Sequence, residues 1–243
     1  MTEAAQRRPK RFLLLLIAVG AASLFSMLFA PIEQLLPPGI EVPRIALLVQ
    51  PAIIVAACCA LGWWATPKLG LDAPVLGALA EGGDWLGALR PMLVPALLGG
   101  VIGGIMIALF GIAAQEFLNG RAQAIDLPLP VRVLYGGGVE EIVFRWTMMP
   151  LLALPLMKVR TRRGSALLVA NLLAALLFAA GHVPNLLMEV DMPPSWMIPA
   201  VLAANSVVGL ICGWLFVRRG FEAAMIAHGS AHLISAPLLF LLA

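Results

Sequence analysis

Polar residues in this chain are gathered into short clusters, and the stretches between them are apolar for about as long as a helix needs to cross a bilayer, roughly 20 residues. Seven such blocks can be drawn, at 12–30, 45–65, 92–114, 133–157, 166–182, 196–217 and 221–242. The pattern predicts an all-α, polytopic membrane helical bundle of about seven to eight transmembrane helices. Pro150 and Pro155 are expected to end or kink the fourth block, with part of it lying at the interface rather than across it. The segment from Lys68 to Arg90 is too short and too interrupted to span, and is predicted to lie as an amphipathic element at the cytoplasmic surface. No repeat, low-complexity stretch or soluble domain interrupts the series, so residues 1–243 are read as a single membrane domain.

Composition supports that reading. The chain is 61% hydrophobic and 12% charged with a mean hydropathy of +0.97, whereas soluble chains are about 45–50% apolar and about 25% charged. The net charge of +3 is small, and the basic residues sit beside apolar blocks. Membrane orientation explains them better than nucleic-acid binding, and no nucleic-acid partner is expected. Arg7, Arg8, Lys10 and Arg11 precede the first block, Lys158, Arg160, Arg162 and Arg163 follow the fourth, and Arg218 and Arg219 follow the sixth. With seven crossings and a cytoplasmic N-terminus, all three clusters fall on the cytoplasmic side. The other loops carry Glu33, Glu41 and Arg44, then Arg121, Asp126 and Arg132, then Glu189 and Asp191. The first block is too long for the core of a signal peptide and no Ala-x-Ala site follows it, so it is read as a retained helix. Cys58, Cys59 and Cys212 lie inside apolar blocks without metal-binding spacing and are expected to be small buried hydrophobes. Gly99-Gly100 with Gly103-Gly104, and Gly209 with Gly213, have the small-x-x-x-small spacing that lets helix backbones approach, and are read as packing faces within the chain.

Candidate chemistry is concentrated in the fourth block. Gly136-Gly137-Gly138-Val139-Glu140-Glu141-Ile142-Val143-Phe144-Arg145 puts two carboxylates and a guanidinium among apolar residues. Each such group costs roughly 2.5–3.5 kcal/mol at mid-bilayer on insertion scales, so each calls for a partner or a function. Glu141 and Arg145 are four apart and share a helix face, a spacing that favours an ion pair. Glu140 lies about 100° round the helix on the face of Phe144 and is left to meet something else. The three histidines, His182, His228 and His232, all fall in or at the ends of apolar blocks. An ion pair that fixes packing explains Glu141 and Arg145, and an interhelical hydrogen bond explains any one histidine. A spare glutamate with three histidines from two further helices is better suited to activating water, the carboxylate taking a proton while a histidine polarises a carbonyl.

Glu140-Glu141-x-x-x-Arg145, Phe178-x-x-x-His182 and Ile226-Ala227-His228-Gly229-Ser230-Ala231-His232 resemble, in order and on separate helices, the motifs of the CPBP family. That family takes in the type II CAAX prenyl endopeptidases and the Abi bacteriocin-immunity proteins, and the resemblance covers roughly residues 90–240. It implies a glutamate-type intramembrane endopeptidase. Glu140 and His182 would activate water, His228 and the residue four further on would stabilise the oxyanion, Glu141 would support the first motif and count among the catalytic residues, and Arg145 and Phe178 would support the site. Its implied partners are membrane lipids and a membrane-associated peptide or protein substrate, lipid-modified in the eukaryotic relatives, and no cofactor is implied. The chain departs from the pattern twice. Trp146 stands where the family often has Gly and is expected to narrow the cavity. His232 stands in the usual asparagine position, which opens a zinc-dependent alternative in which His182, His228 and His232 hold the metal and Glu140 is the base. A non-catalytic immunity or partner-binding protein is the alternative outside enzymes, and a small proton-coupled transporter ranks behind it for want of an internal repeat. The expected location is a prokaryotic plasma membrane.

Overall fold

The computed structural model describes residues 8–31, 42–118, 127–159, 162–189 and 192–242. Arg7, Glu33, Glu41, Arg121, Asp126, Arg160 and Asp191, which entered the orientation argument, lie outside them, as do the side chains of Glu116 and Glu189. Helices follow one another as α1 (Lys10–Phe25), α2 (Arg44–Leu47), α3 (Val49–Ala65), α4 (Pro74–Glu81), α5 (Trp85–Leu118), α6 (Leu129–Leu134), α7 (Met149–Lys158), α8 (Arg163–Ala180), α9 (Val183–Glu189), α10 (Met197–Arg219) and α11 (Phe221–Leu242). No strand occurs among the described residues. The protein is an all-α polytopic membrane bundle. Its outer surface carries exposed Leu14, Ile53, Val94, Leu98 and Leu168, a distribution costly in water and natural against lipid tails.

Among the described residues, six helical stretches are long and apolar enough to cross a membrane: Lys10–Phe29, Arg44–Leu69, Trp85–Gln115, Arg163–Leu187, Met197–Arg219 and Phe221–Leu242. The fourth expected span is not among them. It is a composite in which α6 and α7 are joined by π-helical stretches at Tyr135–Glu140 and Ile142–Met148, with Glu141 between them. π-turns are rare and collect at functional sites. Pro150 stands in the first turn of α7, where its missing N–H costs least, and Pro155 lies inside that helix.

The third span begins seven residues earlier than its apolar block. Asp84 caps it, its Oδ1 accepting from Gly87 N at 2.9 Å, so that Trp85 to Arg90 are already helical. Pro91 and Pro95 are carried inside the helix. The 68–90 segment accordingly resolves into a short helix, α4, and the start of α5. The buried Glu222 of α11 anchors α4 by accepting from Leu76 N at 2.8 Å.

Glycine spacing sets the core of the bundle. A Cβ at Gly99, Gly100, Gly103 or Gly104 would meet α10 or α11 atoms such as Ile211, Ser230, Ala231 and Ile234. The small-x-x-x-small face of α5 therefore packs within the chain, chiefly on α11. Gly209 and Gly213 of α10 do the same against Ala175 and Asn171 of α8.

Candidate active site

Three glycines bring the acidic motif against its partners. A Cβ on Gly136 would lie 2.9 Å from His232 Nε2 and 3.2 Å from His228 Nε2. One on Gly137 would lie 2.9 Å from the Met225 carbonyl, and one on Gly138 would strike Ser23 of α1. Any larger residue here would push α11 or α1 away from the carboxylates that follow.

The closest polar contact joins Glu141 to α11. Glu141 is fully buried, and its Oε1 accepts from His228 Nδ1 at 2.8 Å. The same oxygen is 3.3 Å from Arg145 Nη1, and Arg145 is itself 1% exposed. That contact is a charge pair rather than an aligned hydrogen bond, since neither Nη of Arg145 has a hydrogen-bond partner among the described residues. Arg145 also lies over the Phe178 ring, 4.6 Å from its centre. Glu141 thus serves two cations or donors, Arg145 and His228, where the helical spacing alone assigned it to Arg145. His228 bridges the carboxylates, because its Nε2 is 3.6 Å from Glu140 Oε2. Glu140 keeps 22% of its side chain exposed.

Glu140 and His182 both line a cavity of about 210 Å³, together with Tyr135, Phe144, Phe178 and Asn185 among others. His182 stands just past α8, and its Nδ1 is 2.9 Å from the Phe178 carbonyl. A carbonyl only accepts, so Nδ1 carries the proton and Nε2 keeps its lone pair. Phe178 separates the two histidines, edge-on to His182 at 4.7 Å and to His228 at 5.5 Å between ring centres. His232 does not line the cavity; it stacks on His228 with centres 5.2 Å apart and planes at 25°.

Trp146 is also absent from the cavity wall. It is completely buried on the other side of the motif, among Phe12, Phe216 and Phe221, and its Nε1 donates to the Cys59 carbonyl at 3.3 Å. Gly62 makes room for it, since a Cβ there would overlap the indole. The expected narrowing is therefore corrected: Trp146 fills the core behind the site.

Among the described residues, Glu141, Cys212 and His228 are the one group of three whose ligand atoms all lie within 4.8 Å of one another. A cation there would face Arg145 across the same carboxylate oxygen, which opposes it. His182, His228 and His232 do not make such a group.

Sequence reasoning passed over Tyr135 and Asn185. Tyr135 is the single tyrosine of the chain, but α-helical spacing sets it about 140° round from Glu140. The π-turn at Tyr135–Glu140, with hydrogen bonds running i→i+5, brings the two onto one wall.

Residues 124–234 match the family model described as Type II CAAX prenyl endopeptidase Rce1-like. That range takes in Glu140, Glu141, Arg145, Phe178, His182, His228 and His232. No curated protein and no solved structure matches the chain.

Proposed function

We propose that the chain, whose residues 124–234 match the type II CAAX prenyl endopeptidase family model, is a glutamate-type intramembrane endopeptidase. The observation that carries this reading is the single cavity wall shared by Glu140 and His182, with His228 set between Glu140 and the buried Glu141–Arg145 pair.

Charge accounting supports it. Glu141 and Arg145 offset each other, so Glu140 and His228 together hold one mobile proton without leaving net charge at depth. Glu140 removes a proton from water held between it and His182 Nε2. The water oxygen bonds to the scissile carbonyl carbon, and the carbonyl oxygen becomes an oxyanion. His228, whose Nδ1–H is held by Glu141, donates from Nε2 to that oxyanion, while His232, off the cavity wall, holds the His228 ring by stacking on it. Collapse of the tetrahedral species breaks the C–N bond, and the leaving nitrogen takes the proton from Glu140. Arg145 and Phe178 are positioning residues, and no metal takes part.

The substrate is a membrane-associated polypeptide, and the protein sits in a prokaryotic plasma membrane with its N-terminus in the cytoplasm. Comparing the protein termini in membranes that carry the wild-type chain with those carrying Glu140→Gln tests the reading and identifies the substrate together. New termini present only with wild type are expected. Identical sets of termini, with both proteins expressed equally, would leave a non-catalytic partner-binding role as the better account.

A further inference from the structure

The two ends of the bundle differ, and the difference decides where the cavity opens. One segment, 66–74, collects contacts from three basic clusters. Arg8 donates to Thr66 Oγ1 at 2.5 Å and to the Leu71 carbonyl at 2.6 Å, and pairs with Asp72 at 2.9 Å. Arg163 Nε donates to the Leu69 carbonyl at 2.6 Å. Phe221 N, directly after Arg218, Arg219 and Gly220, donates to the Asp72 carbonyl at 2.9 Å. Arg8, Lys68, Arg163, Arg218 and Arg219 are therefore on one face of the membrane.

The cavity lies toward the other face. Gly181, His182 and Asn185 on its wall come 18 to 22 residues after Arg163 along α8 and α9, which begins at about 27 Å of helix rise. The hydrocarbon core is itself about 30 Å thick. Arg44, which donates to the Leu28 carbonyl past the far end of α1, and Arg132 are the basic residues described on that side.

The basic side is also sealed. Phe12, Trp146, Phe216 and Phe221, each no more than 1% exposed, pack together, with the Arg8 guanidinium 5.0 Å from the Trp146 ring. His228 lies only seven residues beyond Phe221 on α11, so this aromatic layer stands between the polar cluster and the basic face. At the other end Gly181 and Asn185 are exposed, and Glu140 and His182 are partly so.

We infer that the active-site cavity opens on the extracytoplasmic face, and that its substrates are peptide segments presented from that side of the membrane. Which face is cytoplasmic follows from the preference of Lys and Arg for the cytoplasmic loops; that peptides are what enters rests on the endopeptidase reading above. A cytoplasmic segment would have to pass the Phe12–Trp146–Phe221 layer to reach Glu140.

Thiol labelling locates the mouth without depending on catalysis. Asn185→Cys sits on the cavity wall, Leu187→Cys is an exposed companion on the same helix, and Ser165→Cys is exposed at the basic end of α8. The wild-type chain, with Cys59 and Cys212 buried and Cys58 half-buried, gives the blank. In intact spheroplasts of a bacterial host, a membrane-impermeant maleimide should modify Asn185→Cys and Leu187→Cys as fully as after permeabilisation. Ser165→Cys should react only after permeabilisation. The reverse pattern would overturn the inference. So would modification of both α9 cysteines by a lipid-soluble maleimide alone, which would mean that the cavity faces acyl chains. New termini that depend on Glu140 should map to extracytoplasmic segments, and termini confined to cytoplasmic segments would also overturn it. External labelling with no such termini would leave the mouth where it is inferred and remove the endopeptidase reading instead.

Discussion

Replacing Arg145 by methionine separates its structural role from its contribution to chemistry. Methionine keeps the apolar contact with Phe178 but leaves Glu141, fully buried and 3.3 Å from the lost guanidinium, with His228 and the neutral Cys212 thiol beside it and no cation of its own. Breaking a buried ion pair from one side costs about 3–5 kcal/mol. That is about two to three and a half powers of ten in the ratio of folded to unfolded protein. For a chain of this size it corresponds to a fall in melting temperature of about 6–20 °C. Removing both charges, in Arg145→Met with Glu141→Gln, should recover most of that fall. No unpaired ion is then buried, and the glutamine oxygen still accepts from His228 Nδ1. The assay is thermal unfolding in detergent, followed by tryptophan fluorescence and by the monodisperse fraction on size exclusion. The double variant should be stable yet impaired in cleavage, because a neutral residue no longer supports a protonated His228. A single variant within about 2 °C of wild type, or a double variant as unstable as the single, would refute the view that the pair's charges hold this part of the bundle.

Glu140→Gln should lower cleavage by about 10²–10⁴-fold without changing the melting temperature, since Glu140 is partly exposed and makes no contact closer than 3.6 Å with His228. His232→Ala should lower cleavage by removing the ring stacked on His228, and His232→Phe should restore most of it; equal rates for the two would remove His232 from the positioning of His228. Gly137→Ala should destabilise by about 1–3 kcal/mol, read as a lower melting temperature, because its Cβ would sit 2.9 Å from the rigid Met225 carbonyl. Elemental analysis of the purified protein should give well under one zinc per chain. Stoichiometric zinc lost on His232→Ala would instead support the three-histidine metal site.

How far the sequence leads depends on whether a feature obeys a regular period. The apolar blocks at 12–30, 45–65, 166–182, 196–217 and 221–242 correspond to crossing stretches because length and hydropathy alone define them. The fourth block failed as a simple span because its helix is wound as π-turns over Tyr135–Glu140 and Ile142–Met148, and no 3.6-residue count anticipates that. The start of α5 was missed for another reason. Asp84 and Arg90 look like loop polarity, yet one caps the helix and the other lies in its second turn. Pairing within one helix, as between Glu141 and Arg145, could be counted along the chain. The bond from Glu141 to His228 spans 87 positions and depends on how closely α11 approaches.

That approach explains why the glycines belong with the carboxylates. Gly136 and Gly137 have no side chain where His232, His228 and the Met225 carbonyl come closest, and Gly138 likewise admits Ser23. Immediately after them the backbone presents Glu140 to the cavity and Glu141 to His228, while Trp146, one further turn along, fills the core behind. The π-winding makes this division workable, since it sets Tyr135 and Glu140 on one wall and leaves Glu141 opposite α11. A tighter α-helical turn here would rotate Tyr135 off the wall, and a bulkier residue at 136 or 137 would part His228 from Glu141. The polar cluster is held at depth by shape as much as by charge. Substitutions at the glycines should therefore impair cleavage even where both glutamates and all three histidines are intact.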